Sequence, residues 1–159
     1  MTGKISHIAF YTDKMNETID FYEKLLGFTH GFALKKTTGE PWIEYLANAN
    51  GDFIELFYSD APIKNEQDIP VEQKFSHFCL EVDNITAVIE RAQAVGIDLY
   101  RPLTTGMDLN LQCWFQDPNG VLIEIMQLDK NSPQARLRET FTPNNGNTTK
   151  NEDAIQDYQ

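Results

Sequence analysis

Cysteine, positive charge and long apolar runs are all scarce in this chain, and each scarcity removes a class of protein. Only Cys79 and Cys113 occur in 159 residues, far apart and each inside a strand-like run. They offer no disulfide framework and read as small buried thiols of a reducing compartment. Lys and Arg number 13 against 24 Asp and Glu, a net charge of −11. A chain this acidic lacks the basic face that nucleic-acid binding needs, and it is repelled by an anionic membrane surface. No stretch approaches the ~18 apolar residues of a spanning helix. The opening MTGKISHIAF has no charged segment followed by an apolar one, so no secretory signal is read there and a cytoplasmic location is expected. Glycine-rich phosphate loops, nucleophile elbows and clustered-cysteine zinc motifs are missing as well.

What is present is apolar content: 41% hydrophobic and 11% aromatic residues, enough for one compact domain with a core. The chain is also a repeat. His7-Ile8-Ala9-Phe10-Tyr11 precedes a helical stretch over 14–26 and Gly27-Phe28. His77-Phe78-Cys79-Leu80-Glu81-Val82 precedes a second over 84–95 and Gly96-Ile97. Each half closes on an apolar strand holding one glutamate, Phe53-Ile54-Glu55-Leu56-Phe57 and Leu122-Ile123-Glu124-Ile125-Met126. His7 and His77 are 70 positions apart, Glu55 and Glu124 are 69. Ile19, Phe21, Tyr22, Leu25 and Leu26 make a helical stripe, as do Ile85, Val88, Ile89, Ala92 and Val95. Asp13 and either Asp83 or Asn84 are candidate N-caps, and Gly27 and Gly96 the stops. Shorter strands are expected over 28–36 and 41–47, and over 97–101 and 111–116. Asn50-Gly51 and Asp117-Pro118-Asn119-Gly120 carry turn chemistry.

Each half therefore reads β-α-β-β-β. The expected fold is α+β, with two tandem βαβββ modules forming a curled, mostly antiparallel sheet cleft. Module 1 spans 4–59, a polar linker 60–73, module 2 spans 74–128, and one domain covers 1–128. A polar tail over 129–159 is expected to be mobile or draped over a surface.

Strand alternation places the polar landmarks. His7 shares a face with Ala9 and Tyr11, and His77 with Cys79 and Glu81. Glu55 lies with Phe53 and Phe57, and Glu124 with Leu122 and Met126. All four fall on the face away from the helices, so a common cleft would let them meet. Taken singly, each is most simply a residue of a solvated face. Jointly, the repetition of both residue types among large apolar neighbours favours ligands, because buried carboxylates want a cation. Two imidazoles and two carboxylates suit one divalent ion, Ni, Zn, Co, Mn or Fe, with positions left for substrate. Tyr11, Tyr45, Phe57, Gln112, Trp114 and Met126 are candidate pocket residues. His30 has no counterpart in the second half and reads as an exposed strand or turn residue. Glu17, Asp20 and Glu23 read as the wet face of the first helix.

These residues carry a family resemblance. His-Ile-Ala-Phe at 7–10, Thr-Ile-Asp-Phe-Tyr-Glu-Lys-Leu-Leu-Gly-Phe at 18–28 and Phe-Ile-Glu-Leu at 53–56 are joined by two later motifs. These are Ser-His-Phe-Cys-Leu-Glu-Val-Asp at 76–83 and Asp-Pro-Asn-Gly-Val-Leu-Ile-Glu-Ile-Met at 117–126. With them the chain resembles the vicinal oxygen chelate superfamily, the glyoxalase/bleomycin-resistance/dioxygenase group, over 4 to about 128. The resemblance implies paired βαβββ modules around one divalent metal and, in the glyoxalase I branch, His7, Glu55, His77 and Glu124 as its ligands. It implies a lyase or isomerase that converts the hemithioacetal of methylglyoxal and a thiol to a thioester through an enediolate, with Glu124 or Glu55 as the base. Glutathione-using members carry an arginine four residues after the first histidine and an asparagine four after the first glutamate. Tyr11 and Ser59 stand there instead, which points towards another thiol or another vicinal-oxygen substrate. The alternatives are an epimerase, an Fe-dependent extradiol dioxygenase, for which Glu55 is surplus, and a metal-free drug-binding resistance protein. Family analogy adds a homodimer with a small-molecule substrate and no nucleic-acid or membrane partner.

Overall fold

The computed structural model describes residues 4–62 and 75–140. The first module runs β1 (His7–Thr12), α1 (Met15–Leu26), β2 (Thr29–Lys35), β3 (Pro41–Ala47) and β4 (Phe53–Tyr58). The second runs β5 (Phe78–Glu81), α2 (Ile85–Ala94), β6 (Arg101–Thr105), β7 (Leu111–Gln116) and β8 (Leu122–Gln127). The strands make two four-stranded sheets, in the orders β1-β4-β3-β2 and β5-β8-β7-β6. The first pair in each order is parallel and the others antiparallel. The α+β repeat read from the sequence is therefore the fold. The helices differ in length, with twelve residues in α1 and ten in α2.

Local chemistry explains most boundaries. Gly27 ends α1 in the left-handed region at φ 69°, which a glycine adopts without a Cβ penalty. Asn84 caps α2 by accepting from the Ala87 amide (3.2 Å), and Gln127 reaches back from β8 to accept from the Ile85 amide (2.9 Å). The cap position of α1 falls on Lys14 rather than Asp13, and the Lys14 amide donates to Thr12 Oγ1 instead. The strand expected over 97–101 begins only at Arg101, because β6 is set by its register with β7, in which Arg101 faces Trp114.

The two modules share one core. Tyr22, Leu25 and Phe28 pack in it with Leu46, Ile54 and Leu56 from the first sheet, and with Ile85, Cys113, Phe115, Ile123 and Ile125 from the second module. The helices α1 and α2 touch, so each sheet turns its helix-covered side towards that core.

A polar clamp reinforces the junction. The Asp117–Gly120 turn enters the first module, where Thr12 donates to Asn119 Oδ1 (2.6 Å) and Asn119 Nδ2 donates to Thr18 Oγ1 (3.0 Å). Tyr22 donates to Asp117 Oδ2 (3.3 Å), and Lys14 Nζ to the Pro118 carbonyl (2.9 Å). Burial pushes the Tyr22 phenol well above its usual pKa, reinforced by the Asp117 charge, and burial also raises Asp117.

Three expectations need revision or fall outside view. Of the two thiols only Cys113 is buried; Cys79 sits on an open sheet face. The polar stretch after Asp129 contains a helix, α3 (Pro133–Thr140), capped by Ser132, whose Oγ accepts from the Ala135 amide (3.1 Å). Most of the expected linker, 63–73, the first residue of module 2, and the tail over 141–159 lie outside the described residues. No helix among the described residues is long and apolar enough to cross a membrane.

Candidate active site

Each sheet has one face closed by helix and core and one open. On β1, Ile8, Phe10 and Thr12 turn inward while His7, Ala9 and Tyr11 are exposed. On β4 and β8 the buried residues are Ile54, Leu56, Ile123 and Ile125, and the partly open ones include Glu55 and Glu124. Alternation thus puts both histidines and both glutamates on open faces. Each histidine meets the glutamate of its own sheet: His7 Nε2 lies 3.6 Å from Glu55 Oε1, and His77 Nε2 lies 3.2 Å from Glu124 Oε2. The carboxylates are largely covered, with side chains 13% and 14% exposed.

Neighbours orient the pairs. Ser76 Oγ is 3.0 Å from His77 Nδ1, a contact that leaves Nε2 directed at Glu124, as in metal-ligating histidines held by a polar partner. Trp114 packs edge-on against the same imidazole (4.7 Å). Tyr45 stands directly opposite Glu55 in register, and that carboxylate holds its phenol above its usual pKa. Partial burial, then the adjacent Glu124 charge, push the Cys79 thiol up to about 12.

The candidate pocket residues divide in the same way. Tyr11, Tyr45 and Phe57 lie on the open face of the first sheet, with Tyr11 and Phe57 rings 5.2 Å apart. Gln112, Trp114 and Met126 lie on that of the second. Within one chain the four-residue convergence expected from the sequence does not occur. The two His–Glu pairs stay on separate sheets, and among the described residues no three metal-binding side chains cluster. Each half offers one imidazole nitrogen and one carboxylate oxygen. That is half of a donor set for a borderline divalent ion, and the two halves fit such an ion only together.

Two features escaped the sequence reading. His30 lies in β2, but its Nε2 is 2.6 Å from Glu44 Oε2, and Tyr58 donates to Glu44 Oε1 (2.8 Å). Burial, followed by this bond, raises the Tyr58 phenol to about 12. The readable signal was Glu44 itself, a charge in phase with Leu46 on the core side of β3. The other feature is α3, held to β5 by a two-pronged Arg138–Glu81 pair (2.9 and 2.7 Å) and to the β6–β7 turn through Gln134, Asp108 and Asn110.

A pair of helix-backed βαβββ sheets with such donors defines a glyoxalase-like domain. The chain belongs to the Glyoxalase/Bleomycin resistance protein/Dioxygenase superfamily, whose family model matches residues 4–125. Members of that family generally bind a divalent metal. Among curated relatives it is similar to Glyoxylase I 4 of Arabidopsis thaliana, 24% identical over 126 residues (79% of this chain, 71% of the relative). It is also similar to lactoylglutathione lyase of Pseudomonas aeruginosa, 24% identical over 155 residues (82% and 86%). Among solved structures, a glyoxalase family protein from Enterococcus faecalis superposes with a TM-score of 0.66 at 23% identity (77% of this chain, 96% of that one). The fosfomycin resistance protein FosX from Listeria monocytogenes gives 0.61 at 17% identity (81% and 96%).

Proposed function

We propose that this protein is a metal-dependent lyase or isomerase of glyoxalase type, acting on a small substrate with two adjacent oxygens, and that a second copy of the chain completes its site. One observation carries the reading. Equivalent His–Glu pairs stand on the open faces of two sheets, and the pairs do not meet within one chain. A homodimer that sets the first sheet of one copy beside the second sheet of the other would gather His7 and Glu55 with a second copy's His77 and Glu124, twice per dimer. Among the described residues β1 and β5 are edge strands, which suits such an arrangement.

These four residues would hold the divalent ion, which supplies charge stabilisation to the paired substrate oxygens. The chain's own groups do the rest. Tyr45, a phenol donor, stands opposite Glu55 in register, whereas Glu124 has Trp114 and the weakly donating thiol of Cys79 opposite it. We therefore assign Glu124 as the base that takes the carbon-bound proton and returns it to the adjacent carbon. For a hemithioacetal this yields a hydroxy thioester with no net change in protons or electrons. Trp114, Met126, Phe57 and Tyr11 wall the reacting centre and exclude water.

Elemental analysis of untagged protein, run with a determination of mass in solution, tests the proposal. The expected result is about one divalent metal per chain and a dimer. The metal-loaded protein should then form thioester from methylglyoxal with one of glutathione, bacillithiol or coenzyme A. A protein that binds no metal after reloading and desalting would leave the four residues structural and overturn the reading.

A further inference from the structure

The rows of side chains crossing the two open faces have one plan and different chemistry. Register aligns Phe32, Tyr45, Glu55 and Ala9 across the first sheet. It aligns Arg101, Trp114, Glu124 and Cys79 across the second. Residues directly opposed in neighbouring strands share a face, so Arg101 stands on the same side as the His77–Glu124 pair. The outer end of the first row is apolar, with Phe32 stacked on Tyr45 at 4.3 Å and 16°. The outer end of the second is a guanidinium 5.1 Å from the Trp114 ring centroid and 5.7 Å from that of Tyr100. Trp114 in turn touches His77.

That guanidinium stands over the faces of two aromatic rings. A ring contact of this kind uses the charge of the group without consuming its N–H donors. Among the described residues no acidic side chain pairs with Arg101, although the chain has 24 of them. Arg138, Lys24 and Lys36 have acidic partners, and what sets Arg101 apart from the other described cations is that it stands over two aromatic rings. A cation with no acidic partner among the described residues, one aromatic ring away from a His–Glu pair, is placed to receive an oxyanion in the forked geometry that arginine favours.

We infer that Arg101 is the anion anchor of this site, and that its substrate carries a carboxylate or phosphate group. Counted in strands, that group lies about one to two spacings, ~5–10 Å, from the centre at Glu124. The Phe32–Tyr45 stack on the other sheet would receive an apolar or planar part of the same molecule. The position of the reacting centre rests on the function proposed above; the anion preference of Arg101 does not.

Titration of Trp114 fluorescence in a Trp42→Phe background tests this without turnover, since Trp42 and Trp114 are the two tryptophans. The probes are 3-(benzylthio)propionate and its neutral amide, with inorganic phosphate as competitor. The acid is expected to bind at least about tenfold tighter than the amide, as a charge-assisted forked contact gives. Arg101→Gln should erase that preference and leave amide binding unchanged, while Arg101→Lys keeps part of it. Phosphate should displace the acid only when Arg101 is present. Equal binding of acid and amide, no binding of the acid, or a preference that survives Arg101→Gln would each overturn the anchor. A preference that holds while no thiol yields thioester leaves the anchor standing and removes the lyase reading.

Discussion

The two modules repeat a backbone but are tied down differently. At equivalent positions on the core side of the third strand, the first module buries Glu44 and the second Cys113. Glu44 requires His30 and Tyr58 to satisfy it, whereas the Cys113 thiol needs no partner. The turns between the last two strands differ more. In the first module Asn48 bonds Asn50 and Asp52 within an exposed turn, beside a cleft of about 700 Å³ that reaches Val82, Asp83 and Arg91 of the other half. In the second, the Asp117–Gly120 turn is sunk into the partner module, against Thr12 and Thr18, which are 1% and 0% exposed. Backbone positions that fix the His–Glu pairs recur, while buried polar ties fall where only one half needs them. Equivalent substitutions should therefore have unequal effects.

The largest effect is expected where the modules match. Glu124→Gln should lower turnover by at least ~100-fold, the usual scale for a lost general base, and weaken metal binding. Glu17→Gln on the exposed side of α1 should change neither. Equal and mild effects in steady-state kinetics would refute the site. Next comes the clamp. Asn119→Ala removes one partner from each of two buried hydroxyls, which keep their bonds to each other and to Lys14, and should cost about 2 kcal/mol in urea denaturation. Asn50→Ala, its exposed counterpart, should stay within about 0.5 kcal/mol; similar losses would erase the distinction between the turns.

A smaller effect is expected at the Glu44 cluster. Tyr58→Phe leaves a buried carboxylate oxygen without its donor and should cost about 1–2 kcal/mol by the same assay. The smallest concerns α3. Hydrogen bonds from Arg138 hold Glu81 below its ordinary value of 4.5. The contribution of the pair is therefore present above pH 4.5 and lost as pH falls through the lower folded value. An exposed pair contributes about 0.5 kcal/mol. Hydrogen exchange should show α3 equally protected in wild type and Glu81→Gln at low pH, and better protected in wild type near neutrality.

The legible parts of the molecule were those written in period and repetition. Ile19, Tyr22 and Leu25 announce α1, Asn50-Gly51 and Asn119-Gly120 announce turns, and the double appearance of His and Glu marks the two open faces. What stayed hidden depends on tertiary contacts. Helix α3 has one buried residue, Ala135, and is specified by Ser132, Gln134 and Arg138 meeting distant partners, so no apolar stripe betrays it. The place of Arg101 follows from the pairing of β6 with β7, which propensity does not encode. Whether two half-sites face each other in one chain depends on how the modules dock, and both arrangements satisfy the same alternation.

The sunken Asp117–Gly120 turn has a consequence for how the protein comes apart. Because Asn119 and Asp117 bond Thr18 and Tyr22, the last hairpin of one module belongs to the interior of the other. Melting either module strips buried partners from its neighbour, so the two repeats have no separate stabilities to lose. A duplicated chain assembled from two similar pieces is thus committed to a single cooperative transition, with calorimetric and van't Hoff enthalpies in agreement.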